Sequence, residues 1–177
     1  ESSAKSGARA HPDAEATALV AGMLAGYGRA PDPGIFQSFE ADEHFQRFRE
    51  EGTPSVTTNA HILSALRRFP GAPEGRRATL KIVRLLERAR TGDRCWNDVW
   101  HASPLYPTSQ TIGALAGLAN ELVRPAVQWL LGEQHEDGSW GFGPGTQEET
   151  AWALQGLIAA GADDVGLLAV TAPAVQL

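Results

Sequence analysis

The sequence predicts an all-α domain of stacked helical hairpins arranged like the inner ring of a toroid, and three observations carry that expectation. The first is the stretch from Val127 to Leu157, which holds a complete helix, turn and helix. Val127, Leu130 and Leu131 share a helical face with Trp129 beside them, and Pro125 suits the first turn. Asp137-Gly138-Ser139 is turn chemistry, and Gly141, Gly143, Pro144 and Gly145 cannot continue a helix. A second helix is expected near Thr146, with Glu148 and Glu149 in its first turn and Trp152, Leu154, Leu157 and Ile158 turned inward. The second observation is recurrence. The pair Thr150 and Leu157 is matched by Thr111 and Leu118, Asn59 and Leu66, and Thr17 and Leu24. Spacings of roughly 40 to 50 residues are those of stacked supersecondary units. The third is the filling between these positions: ALVAGM, AHILSA, IGALAG and AWALQG are small or apolar, as helices crowded on both sides require.

Taken in order, a first helix is expected from about Pro12 to Tyr27, closed by Gly28. Arg29 to Gly34 is rich in proline and glycine and reads as irregular. In Ile35 to Glu50, Phe36, Phe39, Phe45 and Phe48 stand among charges, which predicts one or two short helices with an aromatic inner face. Ser55-Val56-Thr57-Thr58 is capping material for a helix to about Phe69. Pro70 to Gly75 predicts a turn, and Arg76 to Arg90 a basic amphipathic helix on the solvated outside. Gly92 to Pro107 is expected to be a long irregular segment carrying Trp96, Trp100 and Tyr106, the kind of loop where sites sit. A last short helix is expected from Asp163 to about Val170.

Composition narrows the class. The chain of 177 residues is 42% hydrophobic, enough for one domain with a real core, read here as residues 11–177. Residues 1–10, small and polar without an apolar centre, read as a linker or a cut end. A net charge of -6 without a basic block gives no face for nucleic acid. The single cysteine, Cys95, excludes an internal disulfide and fits a reducing cytoplasm, and no apolar run reaches membrane-spanning length.

Several blocks resemble a known family. QHEDGSWGFG resembles the QW repeat of terpene cyclases of the squalene-hopene type. FEADEHFQRF, PSVTTNAHILSAL, WNDVWHASPLYPTS, QHEDGSW and EETAWALQGL, in that order, resemble the C-terminal part of the β domain of bacterial class II diterpene cyclases, similar to copalyl diphosphate synthases. The resemblance runs from Pro12 to about Ala160. It implies a partial terpenoid cyclase or prenyltransferase-like α/α barrel. It also implies protonation-initiated cyclisation of a polyprenyl diphosphate, typically geranylgeranyl diphosphate, to a bicyclic diphosphate, an isomerase-type reaction.

The proton donor in such enzymes is the middle aspartate of D-x-D-D, followed by Thr-Ala. The matching residues here are Asp13-Ala14-Glu15-Ala16-Thr17-Ala18, so the motif is degenerate, with Glu15 at the donor position and Asp13 before it. Protonating an alkene needs a dry, strong, well-aimed acid, and clustered carboxyls tune one another. The same residues also read as a helix cap, Asp13, and a first-turn acid, Glu15. The resemblance further implies that Asn59 and Ser55 support the acid, and that Trp100 and Tyr106, with Trp152 as a second candidate, line a cavity where aromatic faces stabilise carbocations. Trp129 and Trp140, in the QW repeat, are implied to tie helical units together. Mg2+ is implied for the diphosphate, although no acid-rich motif in the chain supplies its ligands. Asp93-Arg94-Cys95 has the D-x-C spacing of the zinc ligands in protein prenyltransferase β subunits, but Glu148 and Glu149 stand where the third ligand belongs, so no metal site is expected. Four inner helices leave such a ring open and greasy on one side, which implies a fragment completed by a missing N-terminal segment or a second copy. The alternative is a catalytically silent toroid fragment or assembly module.

Overall fold

The computed structural model describes residues 12–29, 31–49, 52–68 and 73–161. The N-terminal stretch 1–10 and the expected last helix from Asp163 lie outside the described residues. Six helices organise the rest: α1 (Ala14–Gly26), α2 (Val56–Leu66), α3 (Pro73–Arg88), α4 (Leu105–Leu115), α5 (Asn120–Gly132) and α6 (Gln147–Ala159), with a 3-10 helix at Pro33–Phe39. An antiparallel pair of two-residue strands, β1 (Arg90–Thr91) and β2 (Cys95–Trp96), joins α3 to the segment before α4.

Two layers follow from the sequence pattern. α1, α2, α4 and α6 pack side by side in that order, while α3 lies against α2, and α5 against α4 and α6. Within α2 every residue except Ser64 is buried, so this helix has neighbours all round. α3 instead buries Ala78, Ile82, Leu85 and Leu86 and turns its arginines outward, the amphipathic pattern expected of an outer helix. At the α4 and α6 crossing Gly156 lets the backbones meet: a Cβ there would stand 2.9 Å from Ser109 Cα.

The repeat has a physical signature that recurs three times. Trp140 N donates to Thr150 Oγ1 (3.0 Å), Thr150 Oγ1 returns a bond to Trp140 O (3.4 Å), and the indole Nε1 donates to Leu130 O (2.6 Å). One unit earlier, Trp96 N donates to Thr108 Oγ1 (3.0 Å), Thr108 Oγ1 bonds Trp96 O (3.3 Å), and the indole reaches Leu86 O (2.7 Å). Earlier still, Asn59 Oδ1 accepts from Phe45 N (3.0 Å) and its Nδ2 donates to Phe45 O (2.8 Å). In each unit a buried aromatic drives its own backbone out of water, and a polar side chain near the start of the next inner helix satisfies the stranded N–H and C=O.

This clasp corrects the expected register. The third unit is aligned on Thr108 and Leu115, not Thr111 and Leu118: Leu115 is fully buried, whereas Leu118 lies exposed past the end of α4. The loop expected to reach Pro107 ends at Ser103 or Pro104, and Trp96 belongs to the core rather than to a site-bearing loop. α5 starts at Asn120, so Pro125 sits inside the helix and not in its first turn. Ile158, expected inward, is 71% exposed. Leu24 matches the repeat in sequence but lies on an open face of α1, with Leu19, Val20, Met23 and Tyr27 exposed beside it.

Candidate active site

The leading ends of α1, α2 and α4 meet at one corner. Asp13 caps α1, accepting from Glu15 N (2.8 Å) and Ala16 N (3.2 Å). Residue 47 is pinned to the same spot because Ala14 N donates to Arg47 O (2.9 Å). Glu15, one residue into the helix, is turned toward α2 and is 8% exposed.

Each of its oxygens has separate company. Oε2 is 2.9 Å from Arg47 Nη1 and accepts from Thr58 Oγ1 at 3.3 Å, whereas Oε1 stands 3.2 Å from His61 Nδ1. Burial pushes the Glu15 carboxyl up, and His61, Arg47 and Thr58 together outweigh it, holding the group below the usual carboxylate range. The far imidazole nitrogen, His61 Nε2, lies 3.2 Å from Gln110 Oε1 and 3.5 Å from the Tyr106 hydroxyl. His61 Nδ1 is buried and faces Glu15 Oε1 at 3.2 Å without a hydrogen bond to any described group. Tyr106 in turn packs on His101 (4.4 Å between ring centroids) and on Trp152 (4.7 Å). Burial pushes the Tyr106 hydroxyl up, and the nearby Glu15 charge adds to that shift. A groove of about 370 Å³ opens from His61 and Gln110 down between α1 and α2, past Ala18, Gly22 and Ala65.

The structure therefore brings Asp13, Glu15, Tyr106 and Trp152 into one neighbourhood, Asp13 joined to Glu15 through Arg47 and Tyr106 joined to it through His61. Trp100 sits beside that corner, half exposed, with its ring 5.1 Å from the Arg47 guanidinium carbon and edge-on to Phe48. Asn59 and Ser55 make no hydrogen bond to Glu15 among the described residues, and Ser55 takes the capping place its hydroxyl-rich stretch predicts. The Asn59 amide is taken up by Phe45 and by Ser55 O (2.8 Å), and Ser55 Oγ caps α2 through Thr58 N (3.1 Å) while donating to Asp98 Oδ2 (2.9 Å). The reason is helical phase: Asn59 faces the 45 segment and the Ser55 hydroxyl faces Asp98, whereas 58 and 61 share the face toward α1. His61 and Thr58 had a signal that was missed, polar residues in an otherwise small and apolar inner helix. Arg47 had none, because only the fold carries it to α1.

The D-x-C residues are occupied locally: Asp93 takes a positive φ of 58° in the turn, and Cys95 Sγ bonds Thr91 O at 3.6 Å. No three His, Cys, Asp or Glu side chains among the described residues converge to hold a metal ion. No helix among the described residues is long and apolar enough to cross a membrane.

The match that decides the family covers residues 50–170, which fit the squalene-hopene cyclase C-terminal domain. The chain belongs to that family. Among curated relatives it is 35% identical over 148 residues to a type B diterpene cyclase of Mycobacterium tuberculosis, covering 82% of this chain and 29% of the relative. It is 38% identical over 158 residues to a copalyl diphosphate synthase of Streptomyces cyslabdanicus, covering 83% and 29%. The solved structure of ent-copalyl diphosphate synthase from Streptomyces platensis superposes with a TM-score of 0.84 at 36% identity, over 91% of this chain and 33% of that one. The chain thus spans about 29% of the length of these curated relatives. The fold is that of an α/α-toroid terpene cyclase, of which these helices form one arc.

Proposed function

We propose that this arc carries the proton-donor corner of a class II diterpene cyclase. In this reading Glu15 delivers a proton to the terminal double bond of a linear prenyl diphosphate such as geranylgeranyl diphosphate, and ring closure to a bicyclic diphosphate follows with the diphosphate retained. The observation that carries it is the burial of Glu15 against His61, Arg47 and Thr58. A carboxyl held below the usual range is a stronger acid once protonated, and a buried imidazole beside it is a means of restoring the proton. Tyr106 and Trp152 offer aromatic faces near the groove to a developing carbocation. Asp13 serves as the helix cap and as a second anion for Arg47. The relatives' names, copalyl diphosphate synthase and diterpene cyclase, support the substrate class.

The open apolar face of α1 is a natural seat for a further segment or a second copy that would continue the ring. The magnesium and diphosphate are assigned to that continuation too, since the described residues offer no ligand cluster. The whole would work in the cytoplasm. A second reading, a silent arc used for assembly, is favoured by Ala16, which faces the opposite groove from Glu15 and places no carboxyl beside it.

The two readings separate in a chimera. Residues 12–161 are exchanged for the matching segment of the Streptomyces cyslabdanicus enzyme, and the product from geranylgeranyl diphosphate and magnesium is followed by mass spectrometry. Bicyclic diphosphate that disappears with Glu15→Gln supports the donor role. Product that survives Glu15→Gln, or no product even with Glu15→Asp and Ala16→Asp together, leaves the silent arc.

A further inference from the structure

The corner contains a cation that proton donation as described above does not call for. Arg47 lies across the start of α1 like a clamp: Nη1 is 2.9 Å from Glu15 Oε2, while Nη2 and Nε reach Asp13 Oδ2 at 3.2 and 3.3 Å. Its backbone is fixed by the bond to Ala14 N, and its guanidinium carbon lies 5.4 Å from the Phe48 ring centroid and 5.1 Å from that of Trp100. A guanidinium held by two carboxylates and two ring faces is a built position and not a passing surface contact. The result is asymmetry in Glu15. Oε2 has Arg47 and Thr58, both donors, so it is occupied as an acceptor; Oε1 faces His61 alone.

We propose that Arg47 is a positioning residue for Glu15: bridging Asp13 and Glu15, it occupies Oε2 as an acceptor and leaves Oε1, opposite His61, as the oxygen that takes the transferable proton. The proposal rests on the proton-donor reading and deepens it by assigning separate duties to the two oxygens. Among the described residues the charged and titratable groups facing Glu15 are Asp13 on its own helix, Arg47 from the preceding segment, His61 from α2 and Tyr106 from α4, with Asp98 beyond, and the Thr58 hydroxyl is a neutral donor beside them. Of these only Arg47 is a permanent cation, so removing it changes the balance most. Donation balances simply. The π pair of the terminal double bond forms the new C–H bond as the Oε1–H bond breaks, leaving a carbocation on the substrate and on Glu15 a carboxylate that Arg47 stabilises.

The test uses the intact chain and no substrate: the side-chain carboxyl carbon of Glu15 is titrated by 13C NMR in the parent, Arg47→Met, Arg47→Lys and Asp13→Asn chains. Arg47→Met is expected to raise the Glu15 midpoint by about 1 to 3 pH units, the effect of an adjacent arginine on a carboxyl. Arg47→Lys, a point charge without the fork, is expected to restore part of the shift. Asp13→Asn keeps the helix cap but releases Arg47 from its second anion, so the midpoint is expected to fall below that of the parent. That variant decides the matter if Arg47→Met fails to fold. A Glu15 midpoint unmoved in Arg47→Met, or unmoved in Asp13→Asn, overturns the proposal. The readout is separable from the cyclase reading: no product in the chimera with a titration that moves as expected removes the reaction and keeps the clamp, and the converse keeps the reaction and removes the clamp.

Discussion

The turn around Trp140 and the corner around Glu15 solve the same problem in opposite ways. At both, the start of an inner helix presents polar side chains to a neighbouring segment inside the core. Thr150 meets two backbone groups of Trp140 with one neutral hydroxyl, and the indole is tied to Leu130 O, so the clasp itself uses no charged group and both Trp140 donors are matched. At the corner, two acids, an arginine and a histidine from three separate segments face one another, and Glu15 keeps one oxygen against an imidazole. The difference shows that the repeat supplies rigidity where it is kept, at Trp96 and Trp140, and chemistry where it is departed from.

The largest effect comes from breaking the neutral turn. Trp140→Ala is expected to cost about 3 to 5 kcal/mol in denaturant unfolding, the range for emptying a buried aromatic site, and Trp96→Ala a similar amount because its clasp is the same. Equal losses at the two tryptophans would confirm that the units are repeats; a much smaller loss at Trp96 would count against it. Next, Thr150→Val leaves Trp140 N without its partner at nearly unchanged volume, for a loss of about 1 to 3 kcal/mol.

The corner responds to pH through Glu15. The folded Glu15 carboxyl lies below its ordinary value of 4.5, so the stability it contributes is present above that value and is lost as pH falls through the folded one. Glu15→Gln is therefore expected to be less stable than the parent near neutrality and to converge with it in acid. Parallel stability curves for the two chains would show that Glu15 is not held by its partners. The smallest effect is expected at the open edge: Ile158→Ser should change stability by no more than about 0.5 kcal/mol, since the side chain is mostly in water already.

Legibility in the sequence followed the same division. Helix phase, caps and the outer character of α3 were readable because they rest on spacing within a few residues: Thr146 caps α6 and Ser55 caps α2, both through a hydroxyl to a backbone N–H three residues on. The repeat was readable, but its third register slipped by one helical turn. Thr108 and Thr111 lie on one helix face, and only the clasp on Trp96 tells them apart. At the site, the acid at 13 and 15 could be found by motif, whereas its partners could not. Asn59 looked like a support for the acid and instead secures Phe45, two residues short of the side chain that faces Glu15.

By itself, the sequence determined an all-helical arc of hairpins, the positions of most helix starts and a carboxyl at the head of α1, because those depend on short-range periodicity and capping. The tertiary structure alone decided that Arg47, Thr58 and His61 divide the two oxygens of Glu15 between them. Those contacts join residues 32 to 46 positions apart through the angle at which α1 meets α2, and an angle between helices is set by side-chain packing that no local pattern encodes.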